Sequence, residues 1–95
     1  MEIIIHARLV SLQSPSLIFS RDYEKVLDRK KKYSVEFLNL EPKILEKIRK
    51  ENTKIDRHIE VGDNNKLCID IGTKLKGFLN LKPQTEYELK LTVCE

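Results

Sequence analysis

The chain is poor in the residues that several classes of functional site require. Its three glycines, Gly62, Gly72 and Gly77, match no glycine-rich nucleotide-binding loop. Two cysteines, Cys68 and Cys94, are too few for a disulfide scaffold, and we expect both to be reduced thiols. No apolar run is long enough to span a membrane, and the start of the chain lacks the pattern of a signal peptide. These absences predict a cytoplasmic protein.

Histidines and cysteines are present, but none has the spacing of a known catalytic or metal-binding motif. There is no nucleophile elbow and no His-Glu-x-x-His sequence. The short spacings that pair zinc ligands along a chain are missing. The possible ligands concerned are His6, His58, Cys68 and Cys94. We therefore predict no catalytic residue, no cofactor and no metal site.

The length and composition indicate one small folded domain over residues 1–95. Apolar residues make up 40% of the chain, a fraction too high for a disordered chain. Charged residues make up 35%. Eighteen lysines and arginines stand against fifteen acids, so the net charge is only +3. This excess is mild, and by itself it does little to favour nucleic acid as the partner.

Alternating apolar and polar residues predict a mainly β protein. The predicted strands are 2–12, 16–20, 33–38, the two arms of a hairpin at 58–71, a short strand at 74–81, and 85–93. One helix is predicted at 39–52, because Ile44, Leu45 and Ile48 form a stripe, Asn39 can cap it and Pro42 suits its first turn. Residues 21–32 fit either a short helix capped by Ser20 or the tip of a hairpin.

The segment at residues 81–87, Leu-Lys-Pro-Gln-Thr-Glu-Tyr, resembles the tyrosine corner of fibronectin type III and immunoglobulin-like β-sandwiches. Residues 14–22 and 32–37 also look like the second and third strands of the fibronectin type III family. The resemblance implies a sandwich in which Pro83 stiffens the turn before Thr85 and Leu81 enters the core. It also implies that Tyr87 is buried with its hydroxyl bonded to nearby main chain. The tryptophan usual in that family is absent.

A second architecture fits the same order of elements. A five-stranded barrel of the oligonucleotide-binding (OB) type places its helix between the third and fourth strands, where the helix at about 40–52 falls. The sequence thus leaves two α+β architectures open, a small β-sandwich and a partly open barrel.

Because no catalytic motif is present, function is predicted only from the residues expected at the surface. We expect a non-enzymatic protein-interaction module, acting as a subunit, adaptor or inhibitor that binds another protein. The alternative is an OB-type protein that binds single-stranded nucleic acid through the basic run 29–32. Phe19, Tyr33 and Phe37 fall in apolar strand phases and are predicted to be core residues. The candidate contacts are Arg29, Lys30, Lys31, Lys32, Lys47, Arg49 and Lys50.

Overall fold

The strands of the computed structural model belong to one antiparallel sheet. The structure describes residues 2–9, 15–62 and 65–94. Within them the elements are β1 (Glu2–Leu9), β2 (Ser16–Phe19), a 3-10 helix (Arg21–Lys25), β3 (Lys32–Phe37), α1 (Pro42–Glu51), β4 (Asp56–His58), β5 (Glu60–Val61), β6 (Leu67–Asp70), α2 (Thr73–Leu79) and β7 (Thr85–Val93).

The sheet curls into a nearly closed barrel because β4 and β5 lie at its opposite edges. The strand order is β4-β3-β7-β1-β2-β6-β5, yet only the buried Ile59 separates β4 from β5 along the chain. The two edges of the sheet must therefore meet. Arg57 spans the remaining gap: its Nε donates to the main-chain oxygen of Asp70 (3.1 Å) and its Nη2 to that of Ile71 (3.3 Å).

Alternate residues of each strand fill the barrel, as expected from the side-chain period of a strand. Phe19, Tyr33 and Phe37, which were predicted to be core residues, are buried, whereas Val61 of the predicted hairpin is 38% exposed. Within the described residues no polar or charged residue other than tyrosine is buried. The buried residues are Ile5, Ala7, Leu9, Leu17, Phe19, Leu27, Tyr33, Val35, Phe37, Ile55, Ile59, Leu67, Ile69, Ile71, Leu79, Leu81, Tyr87, Leu89 and Leu91.

Both α-helices lie at one end of the barrel, which we call the helical end. α1 joins the end of β3 to the start of β4, and α2 joins the end of β6 to the start of β7. The antiparallel registers place these strand ends together. The opposite end, which we call the turn end, is formed by residues 26–31 and by Gly62, Asn65 and Lys66.

The predicted helix is confirmed, but its predicted cap is wrong. α1 begins at Pro42, and the residue before it, Glu41, makes no side-chain capping bond. Asn39 instead pairs with the edge of β7. Its Nδ2 donates to the main-chain oxygen of Glu86 (3.3 Å), and its Oδ1 accepts from the main-chain N–H of Glu88 (3.0 Å). The amide side chain thus continues the strand ladder where β3 stops.

One further prediction was wrong, and one alternative that the sequence left open was decided. The strand predicted at 74–81 is wrong, because Thr73–Leu79 is helical and the chain has two α-helices where one was expected. Leu75, Phe78 and Leu79 have helical spacing, and this outweighed the bend expected at Gly77. Residues 21–25 form a short 3-10 helix, and Ser20 caps it by accepting from the N–H of Asp22 (3.1 Å). Residues 10–12 of the first predicted strand lie outside the described residues.

The predicted tyrosine corner is present. Tyr87 is 5% exposed, and its hydroxyl accepts a hydrogen bond from the main-chain N–H of Lys82 (2.9 Å). The ring also meets Phe37 edge to face, with 5.7 Å between centroids. Here the corner joins α2 to β7 of a single sheet, whereas a sandwich needs two sheets.

The barrel shares one feature with the OB-type layout. α1 follows the third strand and precedes the fourth, as that layout predicts. However, the described residues contain seven strands, and β2 and β3 are separated in the sheet by β1 and β7. The structure therefore shows a small, mainly β barrel with two helices.

Replacing Tyr87 with Phe should lower the free energy of unfolding by about 1 kcal/mol, because the N–H of Lys82 loses its acceptor. Urea denaturation followed by circular dichroism measures this loss. Tyr23→Phe serves as the control, since its hydroxyl accepts a longer, exposed bond of 3.3 Å from the N–H of His6. Equal losses in the two variants would show that the corner adds no special stability.

Replacing Arg57 with Met should destabilise the fold by about 1–2 kcal/mol, because the main-chain oxygens of Asp56, Asp70 and Ile71 lose a charged donor. Arg57→Lys should be nearly as damaging, since an ammonium group lacks the planar fork. Arg8→Met is the matched control. Arg8 is exposed on the barrel wall and bonds one side-chain oxygen of Gln84, so its loss should cost less than about 0.5 kcal/mol. Thermal melts of the three variants would refute the closing role of Arg57 if they coincide.

Candidate binding surfaces

The seven candidate contacts predicted from the sequence do not form one site. Arg29, Lys30, Lys31 and Lys32 lie at the turn end, whereas Lys47, Arg49 and Lys50 lie on α1 at the helical end. The five residues of β3 that follow Lys32 separate the two groups, a distance of roughly 17 Å at about 3.3 Å per residue. Each group must therefore be considered separately.

The basic run 29–32 is an exposed turn that Asp28 and Tyr33 hold in place. The Asp28 carboxylate accepts from the N–H of Lys30 (2.9 Å), and the Asp28 carbonyl accepts from the N–H of Lys31 (3.0 Å). The hydroxyl of buried Tyr33 accepts from the N–H of Asp28 (2.8 Å). No cationic side chain takes part in these bonds. The Tyr33 ring lies in the core and offers no stacking face beside the run.

The cations of α1 project from a helix that packs only partly against the barrel. No residue of α1 is fully buried, although Ile44 and Ile48 pack against the core. Lys47 extends toward α2, where its Nζ lies 4.7 Å from the centre of the Phe78 ring. Arg49 lies elsewhere on the helix and lines a groove of about 450 Å³ between α1 and β3. Lys47 and Arg49 thus belong to different surfaces.

A cleft of about 780 Å³ crosses the wall of the barrel where β1 and β2 separate. Their described pairing ends at Arg8 and Ile18, because the chain turns at Ser20 into the 3-10 helix. The cleft opens beyond this point. Its lining includes His6, Arg8, Ile18, Arg21, Lys66 and Glu86.

The charges along this cleft are mostly positive. Nη2 of Arg8 donates to Oε1 of Gln84 (2.8 Å), and Nη1 of Arg21 donates to Oδ1 of Asn65 (2.7 Å). Arg21 also forms an ion pair with Glu24 (2.7 Å). At the opposite side, Nδ1 of His6 lies 3.5 Å from Oε1 of Glu86. These contacts orient the side chains while leaving an excess of cations around the opening.

Beside the cleft, the outer edge of β1 from Glu2 to His6 pairs with no strand of the described residues, since β2 pairs only with Arg8 and Leu9. The N–H of His6 donates to the hydroxyl of Tyr23 (3.3 Å), on the side away from β7. Since main-chain groups alternate in direction along a strand, those of Glu2 and Ile4 point to the same side. Within the described residues, no hydrogen bond reaches their main chain from there. Ile4 itself is 53% exposed.

Sequence analysis did not identify this cleft. His6 and Arg8 were recognisable as the polar phase of β1, but nothing local links them to Arg21 or Lys66. The link comes from β2, which pairs with β1 on one side and β6 on the other. The separation of β1 from β2 had one weak signal, the capping pattern that begins at Ser20.

The histidines and cysteines are not gathered into a site. Within the described residues, no group of three or more metal-binding side chains is placed to hold an ion. Within the described residues, neither Cys68 nor Cys94 takes part in a disulfide. Desolvation and the nearby Asp56 carboxylate raise the pKa of the Cys94 thiol, whose Sγ lies 3.6 Å from Oδ1 of Asp56. A raised pKa leaves less thiolate at neutral pH and makes Cys94 a weak nucleophile.

Changing Lys30, Lys31 and Lys32 together to Gln should alter the free energy of unfolding by less than about 0.5 kcal/mol, because these side chains are exposed and do not hold the turn. Asp28→Ala, by contrast, removes the acceptor of the Lys30 N–H and should cost more than the triple change. Chemical denaturation compares the two. A larger loss in the triple variant would mean that the cations stabilise the turn.

Comparison with known proteins finds no relative of this chain. No protein-family model, no curated protein and no solved structure matches the chain. Among the described residues, no helix combines the length and the apolar character needed to cross a membrane. Function must therefore be argued from the surfaces themselves.

Proposed function

We propose that this protein is a non-enzymatic interaction module that binds an extended, acidic segment of another protein along the open edge of β1. The observation that carries this proposal is the main chain of Glu2 and Ile4, which has no partner among residues 2–9, 15–62 and 65–94 on the side away from β7 and lies beside a cationic cleft. Such a module would serve as a subunit, an adaptor or an inhibitor.

The edge favours a polypeptide because it offers both kinds of hydrogen-bonding group. Ile4 presents an N–H donor and a C=O acceptor on the free side of β1. A peptide strand supplies the complementary pair, as in other cases of strand addition. Phosphate oxygens only accept, so the phosphates of a nucleic acid would leave the carbonyl unused. The exposed side chain of Ile4 adds an apolar contact on the outer face.

The cleft favours acidic side chains in that segment. Arg8, Arg21 and Lys66 outnumber the two carboxylates beside them, those of Glu86 and of Glu24, which pairs with Arg21. A strand laid along β1 would bring its outward side chains toward this wall. Charge complementarity of this kind mainly raises the association rate and selects between partners.

The test uses three nine-residue peptides and NMR spectra of the uniformly labelled protein. The first alternates Glu and Val, the second alternates Lys and Val, and the third is the acidic peptide with N-methyl groups on alternate residues. We expect the acidic peptide to shift the amide signals of Ile4 and His6 and to slow hydrogen exchange at Ile4. The lysine peptide should bind more weakly because the cations of the cleft repel it. The N-methylated peptide should also bind more weakly because its main-chain donors are blocked.

A pair of variants locates the charge effect. Arg8→Gln combined with Lys66→Gln should weaken binding of the acidic peptide about fivefold or more at low salt. Arg29→Gln combined with Lys30→Gln removes the same charge at the turn end and should have little effect. Equal binding of the N-methylated peptide would refute strand addition. Equal binding of the lysine peptide would refute the preference for acidic segments.

A further inference from the structure

We infer that the helical end carries a second, independent binding surface, and that its ligand is single-stranded nucleic acid. The surface consists of Lys43, Lys47 and Lys50 of α1 together with Lys74 and Phe78 of α2. It shares no residue with the cleft or with the open edge of β1.

The distribution of charge first points to this end. Residues 41–54 and 73–82, which contain both α-helices, carry eight lysines and arginines and three acids. The remainder of the chain carries ten lysines and arginines and twelve acids. The helical end therefore has a net charge of +5, while the rest of the protein is at −2. A mild overall excess thus conceals a concentrated positive surface that would attract a polyanion.

The cations on α1 are arranged in a row. Lys43, Lys47 and Lys50 are spaced i, i+4 and i+7, so they share one face of the helix over about 10 Å. All three are exposed, and no ion pair within the described residues involves them. Their charge is therefore available to an outside anion. A row of separate ammonium groups matches the repeated phosphates of a nucleic acid strand.

Phe78 supplies the feature that distinguishes a single strand from other polyanions. It is only half-buried, and the Nζ of Lys47 lies 4.7 Å from its ring centre. Lys74 precedes it by one helical turn on the same face of α2. An unpaired base could stack on the ring, and the displaced Lys47 ammonium could then contact the adjoining phosphate. Stacking on an aromatic ring beside cations is the usual way in which single strands are held without sequence preference.

An anionic membrane fits this surface less well. A helix that lies in a membrane interface inserts its apolar face among the lipids. Here Ile44 and Ile48 are turned toward the barrel core, so α1 has no free apolar face to insert. Only its charges would contact a bilayer.

The test is a fluorescence anisotropy titration of labelled oligo-dT and oligo-U of fifteen nucleotides at 50, 100 and 200 mM KCl. We expect binding at the lowest salt that weakens steeply as salt increases. Lys43→Gln, Lys47→Gln and Lys50→Gln together should weaken it at least tenfold. They should also reduce the slope of log affinity against log salt by roughly 2, at about 0.7 per lost phosphate contact. Phe78→Leu should weaken binding while leaving the slope nearly unchanged.

The control variant carries the same charge change at the turn end, with Lys30, Lys31 and Lys32 changed to Gln. It should bind nearly as well as the unchanged protein. Circular dichroism verifies that each variant is folded, and Lys47→Gln alone replaces the triple variant if α1 is disturbed. Equal weakening by both triple variants would overturn the proposal, because binding would then follow net charge alone. Absence of binding at 50 mM KCl, or equal binding to poly-Glu or to vesicles containing phosphatidylserine, would overturn it as well.

Discussion

The fold depends on the way in which the short segment 56–61 closes the sheet. Its first half, β4, pairs with β3, and its second half, β5, pairs with β6, with the buried Ile59 between them. Because these partners belong to opposite edges, one segment joins both sides of the barrel. The inward side chains of the strands then fill the interior. A curled sheet that closes in this way has little exposed edge for unwanted pairing.

Where the strand ladders stop, side chains take over the hydrogen bonds of the main chain. Asn39 does so for β7, Arg57 for the end of β6, and Tyr87 for the turn at Lys82. Tyr23 does so for His6. This replacement avoids the cost of leaving polar main-chain groups without partners. Within the described residues, the edge of Glu2 and Ile4 has no such replacement, and the proposed protein partner would complete that edge.

The two proposals rest on different physical features of different surfaces. The edge of β1 offers directional donors and acceptors, which a peptide can match. The helical end offers a row of charges and one aromatic ring, which require no exact register from the ligand. The basic side chains of the helical end are not part of the core, since α1 packs against the barrel through Ile44 and Ile48. A protein with both surfaces could hold a nucleic acid strand and a protein segment at once.

Local patterns in the sequence determined much of this structure. Alternation located the strands, the spacing of Ile44, Leu45 and Ile48 located α1, and the residues around Pro83 predicted the buried Tyr87. These features depend on residues a few positions apart, so a single sequence reveals them. The tertiary structure decided the remaining features, because these features depend on which distant strands pair. The tertiary structure joins the strands into one barrel sheet and packs residues 73–79 as a helix against the core. It also places Lys47 far from the basic run 29–32. It also brought Arg8, Arg21 and Lys66 to one cleft, since only the pairing of β2 with both β1 and β6 makes those residues neighbours.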